Sequence, residues 1–175
     1  NRLARFLEDG NLEIGEVVET HSPAMDIQVP SNLERLIFEL LGRDPEAVSG
    51  LMDRYRSTGT LRVPAGALSG ARERFTSGWM SNDANLAAIA DAWSRGEVLV
   101  DPHTAIGLAI GQVRAAHAGA PVIAVATADP AKFPEAVTEA TGVTPQLPAD
   151  LADLLDREER FDVIDADLGA LSSLF

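Results

Sequence analysis

Helical patterns recur along the whole sequence, whereas convincing strand patterns are confined to two or three short runs. The clearest helix lies in "SNLERLIFELLG", residues 31–42, where a capping box of Ser31 and Glu34 precedes an apolar face and Gly42 closes the helix. The clearest strand lies at 121–126, because its apolar residues are continuous, as is typical of a strand buried on both faces of a parallel sheet. The alternation of many helices with a few short strands predicts an α/β fold that is helix-rich and has few strands.

The shortage of strands also predicts that the sheet is incomplete. A parallel sheet covered on both faces needs more strands than these, so we expect the rest of it to lie outside the 175 residues. The opening "NRLARFLEDG" has no initiator methionine and no signal-peptide pattern, which agrees with a chain that begins inside a longer protein.

Composition excludes several functional classes. Twenty-seven acidic residues against fourteen basic ones give a net charge of −13, which is the wrong sign for binding nucleic acid or an anionic membrane surface. The absence of cysteine excludes disulfides, thiolate metal sites and a cysteine nucleophile, and is compatible with a reducing compartment. No apolar run is long enough to span a bilayer. The default expectation is a cytoplasmic protein.

Three Asp-Pro pairs, at 44–45, 101–102 and 129–130, each place a capping carboxylate before a proline at the first helical position. Unusual residues follow two of them. His103 and Thr104 stand in a first turn, where free backbone N–H groups favour an anion or a polar ligand. Lys132, the only lysine, stands in a first turn where the helix dipole disfavours a cation. Ordinary capping at His103 and a solvated side chain at Lys132 are the simpler explanations of these two sites.

A hydroxyl ends the apolar run at 121–126. Thr127 lies at the carboxyl end of the predicted strand, the edge at which open α/β sheets bind their ligands. The alternative is a β-branched strand residue whose hydroxyl caps the turn. The three histidines, His21, His103 and His117, lack metal-ligand spacing, and no carboxylate pair has the context of a general acid and base. The sequence therefore predicts no metal site.

Three motifs together resemble the C-terminal part of the threonine synthase family, of the form found in bacteria and yeast. They are "SPAMDIQVPSNLERLIFEL" (22–40), "DPHTAIGLA" (101–109) and "VATADPAKFPEAV" (125–137), in family order and at approximate family spacing. The opening "NRLARFL" also looks like the family segment that follows the glycine-rich phosphate loop. The resemblance covers nearly the whole chain.

The resemblance implies a pyridoxal-phosphate enzyme with the fold of the tryptophan synthase β subunit, converting O-phospho-L-homoserine and water into L-threonine and phosphate. It implies that 1–40 and 101–175 belong to the cofactor-binding domain and that 41–100 is a mostly helical insertion. It places the Schiff-base lysine and the cofactor-phosphate loop upstream, in a missing N-terminal part of the same enzyme, so this chain holds no catalytic residue and is expected to be inactive alone. Lys132 should not be the Schiff-base residue.

The resemblance also assigns cofactor-binding residues. Thr127 should hydrogen-bond the pyridine nitrogen, while His103 and Thr104 belong to a loop that packs near the cofactor in relatives. Asp129 departs from the family pattern, which has histidine there. The turn containing Ser22 either lines the cleft together with Met25 and Asp26 or is purely structural, and the residues that bind the substrate phosphate are not identified.

Two alternatives remain at this point. One is a different enzyme of the same fold, such as a threonine or serine dehydratase, although the complete "SPAMDIQVPSNLERL" motif argues against it. The other is a non-catalytic interaction or ligand-binding domain that shares only the motifs.

Overall fold

A computed structural model describes residues 2–173, which divide into two compact units at the boundary between Pro145 and Gln146. The first unit begins with a layer of four helices and one two-stranded sheet. In chain order these are α1 (Arg2–Asp9), β1 (Asn11–Glu13), α2 (Leu33–Leu40), α3 (Pro45–Thr58), β2 (Thr60–Arg62) and α4 (Ala65–Arg74).

The two strands pair antiparallel, with Leu12 opposite Leu61. Strand β1 has the sequence "NLE", and β2 falls in the run "TLRV". Parallel pairing was expected, but among the described residues the sheet is antiparallel and contains these two strands alone. Both leucines join a core of buried side chains from the surrounding helices, namely Phe6, Leu12, Leu33, Ile37, Val48, Tyr55, Leu61, Val63 and Ala67.

Local signals set several helix boundaries. Asp44 begins α3 by accepting hydrogen bonds from the N–H groups of Glu46 and Ala47, and Gly59 ends it at a φ of +70°. The predicted capping box at α2 is wrong, because Asn32 is the first capping residue and no side chain caps this helix. A tight turn at Pro30 already gives the Leu33 N–H a backbone acceptor, so a side-chain cap is not needed there.

Three further helices complete the first unit: α5 (Asn82–Gly96), α6 (Pro102–Ala118) and α7 (Pro134–Thr141). Helix α5 packs against both α6 and α7. Ile89 of α5 is fully buried, and it forms a small core with Val100 and with Ala105 of α6. The Asp-Pro prediction for α6 is confirmed, since Asp101 is the N-cap residue of this helix and Pro102 is its first helical residue.

The segment at 121–126 lies between α6 and α7 and forms neither a strand nor a helix. Ile123 is 85% exposed and Val125 is 70% exposed, so the predicted burial on both faces is wrong for the described residues. A strand needs a neighbour for its N–H and C=O groups, and residues 2–173 provide none for this segment.

The second unit contains two short 3₁₀ turns, Ala149–Leu151 and Leu154–Asp156, and the helix α8 (Leu168–Ser172). Around "ADLADLLDREE" only the 3₁₀ turns form, because a short segment crowded with like charges lacks a packed face to stabilise a helix. Asp167 caps α8 through the N–H groups of Gly169 and Ala170. Residues 174 and 175 lie outside the described residues. In the described chain, no helix has both the length and the apolar character needed to cross a membrane.

Candidate functional site

The site is organised around Asp101, which is fully buried at the start of α6. Its Oδ1 atom accepts hydrogen bonds from the backbone N–H of His103 at 2.9 Å and from the Nδ1 of the same residue at 2.8 Å. Its Oδ2 atom accepts from the backbone N–H of Thr104 at 3.3 Å and from the Thr104 hydroxyl. The sequence Asp-Pro-His-Thr produces this arrangement, because the capping position turns the carboxylate towards the first-turn residues.

The carboxylate of Asp101 is held in its charged form. Burial alone raises the pKa of this group, but the hydrogen bonds from Thr104 and His103 favour the anion and hold its pKa below the usual range of an aspartate. A negative charge therefore sits at the positive end of the α6 dipole, where it is stabilised further.

Both ring nitrogens of His103 are engaged. Nδ1 lies against the ionised Asp101, so it carries the proton and donates, while Nε2 accepts from the backbone N–H of Ala24 at 3.2 Å. This network assigns a neutral imidazole with the proton on Nδ1. The ring also contacts Phe133, with centroids 4.8 Å apart. His103 is only 7% exposed, so the imidazole acts here as a buried connector.

Ala24 belongs to the turn at 22–26, which hydrogen bonds hold in place. Asp26 accepts from the backbone N–H of Thr20 and, through its other oxygen, from the Thr20 hydroxyl, both at 2.8 Å. The Thr20 hydroxyl in turn accepts from the backbone N–H of Ser22, which is 4% exposed. Ser22, Met25 and Asp26 also line a cavity of about 310 Å³. The turn thus has a structural role and faces a cleft as well.

Thr127 is joined to this network through its backbone. Its N–H donates to the hydroxyl of Thr104 at 3.0 Å, which places Thr127 beside the first turn of α6. Its side chain is exposed, and within the described part of the chain its hydroxyl has no hydrogen-bond partner. The structure therefore brings together His103, Thr104 and Thr127, and within the described residues the Thr127 hydroxyl stays without a partner at the edge of this group.

Asp129 and Lys132 lie just beyond. Asp129 caps a 3₁₀ turn, Pro130–Lys132, by accepting from the Ala131 N–H at 2.8 Å, so its capping role is confirmed. Lys132 is exposed and lines a second cavity, of about 360 Å³, with Thr20 and His21. No metal-binding cluster is present in residues 2–173.

Sequence reasoning recognised Asp101 as a cap but missed its central position. The histidine and threonine that follow the Asp-Pro pair were the local signal, because both side chains can donate back to a capping carboxylate. The contact from Ala24 to His103 carried no local signal, since it joins segments that are 79 positions apart.

Comparison with known proteins places this arrangement in context. Residues 104–174 match the family described as "Threonine synthase, C-terminal". The threonine synthase of Pseudomonas aeruginosa is 38% identical over 172 residues, covering 98% of this chain and 37% of the relative. The human protein named threonine synthase-like 2 is 33% identical over 159 residues, covering 89% of this chain and 33% of the relative.

Two solved structures of threonine synthases are also similar to this chain. A crystal structure of pyridoxal-phosphate-bound threonine synthase from Brucella melitensis matches with a TM-score of 0.87 and 43% identity, covering 99% of this chain and 37% of that one. Yeast threonine synthase matches with a TM-score of 0.82 and 28% identity, covering 99% of this chain and 39% of that one. The predicted resemblance and the helix-rich, strand-poor fold are confirmed, and the chain spans less than two fifths of the length of these relatives.

Proposed function

We propose, since this chain is related over nearly its whole length to the C-terminal part of threonine synthases, that it forms that part of a threonine synthase. The complete enzyme would convert O-phospho-L-homoserine and water into L-threonine and phosphate with pyridoxal 5′-phosphate. The observation that carries the proposal is the close structural match, along 99% of this chain, to a threonine synthase with that cofactor bound.

The residues present fit one contact to this cofactor. The Thr127 hydroxyl is accessible, its backbone is fixed by Thr104, and none of its hydrogen-bonding capacity is used within residues 2–173. A neutral hydroxyl suits the pyridine nitrogen, because it can donate a hydrogen bond without requiring that nitrogen to be protonated. When bound, the cofactor supplies the electron-withdrawing ring that the chemistry needs, and Thr127 orients one end of that ring.

His103 and Thr104 belong to the same proposed pocket but contribute differently. Their polar groups are already bonded to Asp101 and Ala24, so they pack beneath the pocket rather than reach into it. The proposal keeps 1–40 and 101–175 in the cofactor-binding domain, with 41–100 as a helical insertion. It also places the Schiff-base lysine in the N-terminal part of the enzyme, outside this chain.

The test uses the full-length protein. A purified sample that binds pyridoxal phosphate and releases phosphate from O-phosphohomoserine, with threonine as co-product, would support the proposal. Formation of a 2-oxo acid from threonine or serine, without phosphate release, would instead identify a dehydratase. A sample that binds no cofactor and has neither activity would favour a non-catalytic domain.

The assignment of Thr127 is tested by Thr127→Val, with Thr127→Ser as the matched control. Valine keeps the shape but removes the hydroxyl, leaving a buried ring nitrogen unpaired at a cost of about 1–3 kcal/mol, whereas serine keeps the donor. We expect a higher dissociation constant for the cofactor, or slower turnover, in the valine variant alone. Equal cofactor affinity and equal turnover in both variants would show that Thr127 does not contact the cofactor.

A further inference from the structure

The hydrogen bonds of Asp101 divide into two branches, one on each carboxylate oxygen. Through Oδ1 the carboxylate holds His103, whose far nitrogen holds the backbone of Ala24. Through Oδ2 it holds the hydroxyl of Thr104, which in turn holds the backbone of Thr127. Each branch therefore ends on a backbone N–H outside α6, since Ala24 lies 79 positions before His103 and Thr127 lies 23 positions after Thr104.

We propose that Asp101 is a positioning residue for the cofactor contact: it fixes the proton of His103 and the hydroxyl of Thr104, and thereby holds the turn at 22–26 and Thr127 in one arrangement. This inference rests on the proposed function, because it is the Thr127 hydroxyl that would contact the cofactor. Asp101, His103 and Thr104 do not themselves touch the reacting groups.

A carboxylate is required because every group that faces it is a donor. The four donors are the two backbone N–H groups, the imidazole N–H of His103 and the hydroxyl of Thr104. An ionised aspartate has acceptor capacity for all of them and no hydrogen of its own. Asparagine has the same shape but offers one oxygen and one NH₂ group.

Either orientation of an asparagine at position 101 disturbs one branch. With its NH₂ group towards His103, the imidazole must accept at Nδ1 and move its proton to Nε2, where it opposes the Ala24 N–H. With its NH₂ group towards Thr104, the backbone N–H there loses its acceptor and the hydroxyl that supports Thr127 must reorient. One substitution thus perturbs a loop that it does not contact.

Asp44 offers an internal comparison. It also precedes a proline and caps a helix, but its carboxylate is exposed and, among the described residues, accepts only from the N–H groups of Glu46 and Ala47. Asp101 makes the same kind of cap and adds the two side-chain hydrogen bonds that lead outwards. An effect that appears in Asp101→Asn but not in Asp44→Asn is therefore caused by loss of the hydrogen bonds to His103 and Thr104, and not by loss of a helix cap.

The experiment uses hydrogen–deuterium exchange of the full-length apoenzyme, read by mass spectrometry on peptides that contain Ala24 and Thr127. We expect Asp101→Asn to speed exchange about three- to tenfold in at least one of these peptides, because each N–H depends on a single side-chain acceptor. Asp44→Asn should leave both peptides unchanged. Wild-type exchange in both peptides of a folded Asp101→Asn variant would overturn the proposal.

A second pair of variants keeps the test decisive if Asp101→Asn does not fold. Thr104→Val removes the acceptor of the Thr127 N–H, and Thr104→Ser restores it. We expect faster exchange at Thr127 and about three- to tenfold weaker cofactor binding for valine, with recovery for serine. Identical exchange and identical cofactor affinity in the two variants would refute the role of this branch.

Failure of this inference is distinguishable from failure of the proposed function. The exchange measurements are made without cofactor, so they test the branches even if Thr127 has no ligand. If Thr127→Val binds the cofactor normally while the exchange effects appear, the proposed contact is wrong and the positioning network stands. If Thr127→Val weakens cofactor binding but Asp101→Asn does not change the exchange rates, the cofactor contact stands and Asp101 does not position it.

Discussion

The imidazole of His103 accepts, at Nε2, a hydrogen bond of 3.2 Å from the backbone N–H of Ala24, 79 positions earlier in the chain. This contact fixes the turn at 22–26 against the first turn of α6. It also requires a neutral ring with the proton on Nδ1. The charged carboxylate of Asp101 accepts the hydrogen bond from that N–H group. A buried charge thus determines how two distant segments meet.

The first prediction concerns the acid stability of the protein. The pKa of Asp101 is lowered in the folded state, so its contribution to stability is complete above the ordinary aspartate value of about 3.9 and is lost as the pH falls below that value through the lowered pKa. Asp101→Asn should cost roughly 1.5–3 kcal/mol at neutral pH and should remove this part of the acid dependence. Urea unfolding at pH 7 and at successive values below pH 4 measures both effects. An unchanged acid dependence in the variant would contradict the prediction.

The second prediction concerns the small core between α5 and α6. Ile89 is fully buried against Ala105, so Ile89→Ala should lower the free energy of unfolding by about 2–5 kcal/mol and Ile89→Val by about 0.5–1.5 kcal/mol. Val113, on the outer side of α6, is 67% exposed, and Val113→Ala should change stability by less than about 0.5 kcal/mol. Thermal or urea unfolding distinguishes these cases. A similar loss in the Ile89→Ala and Val113→Ala variants would mean that α5 and α6 do not pack as described.

The third prediction concerns Lys132, which is exposed and lies on a 3₁₀ turn. Lys132→Ala in the full-length enzyme should leave covalent attachment of the cofactor intact, because the attaching lysine is expected in the N-terminal part. Borohydride reduction followed by peptide mapping should label another lysine. Recovery of the label on Lys132, or its loss in the variant, would refute the assignment.

The fourth prediction concerns the 175-residue chain by itself. Thr127 offers the cofactor one neutral hydrogen bond worth roughly 0.5–1.5 kcal/mol, which is far too little to retain it. After incubation with pyridoxal phosphate and desalting, the chain should be colourless and should release no phosphate from O-phosphohomoserine. A Lys132→Arg variant controls for nonspecific reaction at that lysine. A stoichiometric absorbance that survives desalting would show that the chain carries a complete cofactor site.

Sequence patterns identified features whose signals are local. The starts of α3 and α6 could be predicted because Asp44 and Asp101 each precede a proline, and the capping geometry needs only neighbouring residues. The capping box predicted at Ser31 and Glu34 is wrong because a turn before the helix already provides a backbone acceptor for the Leu33 N–H group. The capping pattern carries no information about that turn.

Three members of the candidate site could be predicted, but its central residue, Asp101, and the connections between its members could not. His103, Thr104 and Thr127 were all singled out, two by their position after a capping aspartate and one by its position after an apolar run. That Thr104 supports the backbone of Thr127, and that His103 supports Ala24, depends on tertiary packing. The burial predicted for 121–126 also depends on partners beyond its own sequence, and the described residues do not include them.

The exposed apolar segment at 121–126 makes the isolated chain prone to self-association. Its residues are uncharged, Val122, Ile123 and Val125 are β-branched and exposed, and within the described residues no neighbouring strand occupies its backbone groups. Such a segment is a template for edge-to-edge pairing with another copy, and natural proteins usually protect such edges with charges or bulges. Self-association that increases with concentration, and that a charge introduced by Ile123→Lys suppresses, is the expected behaviour of this chain in isolation.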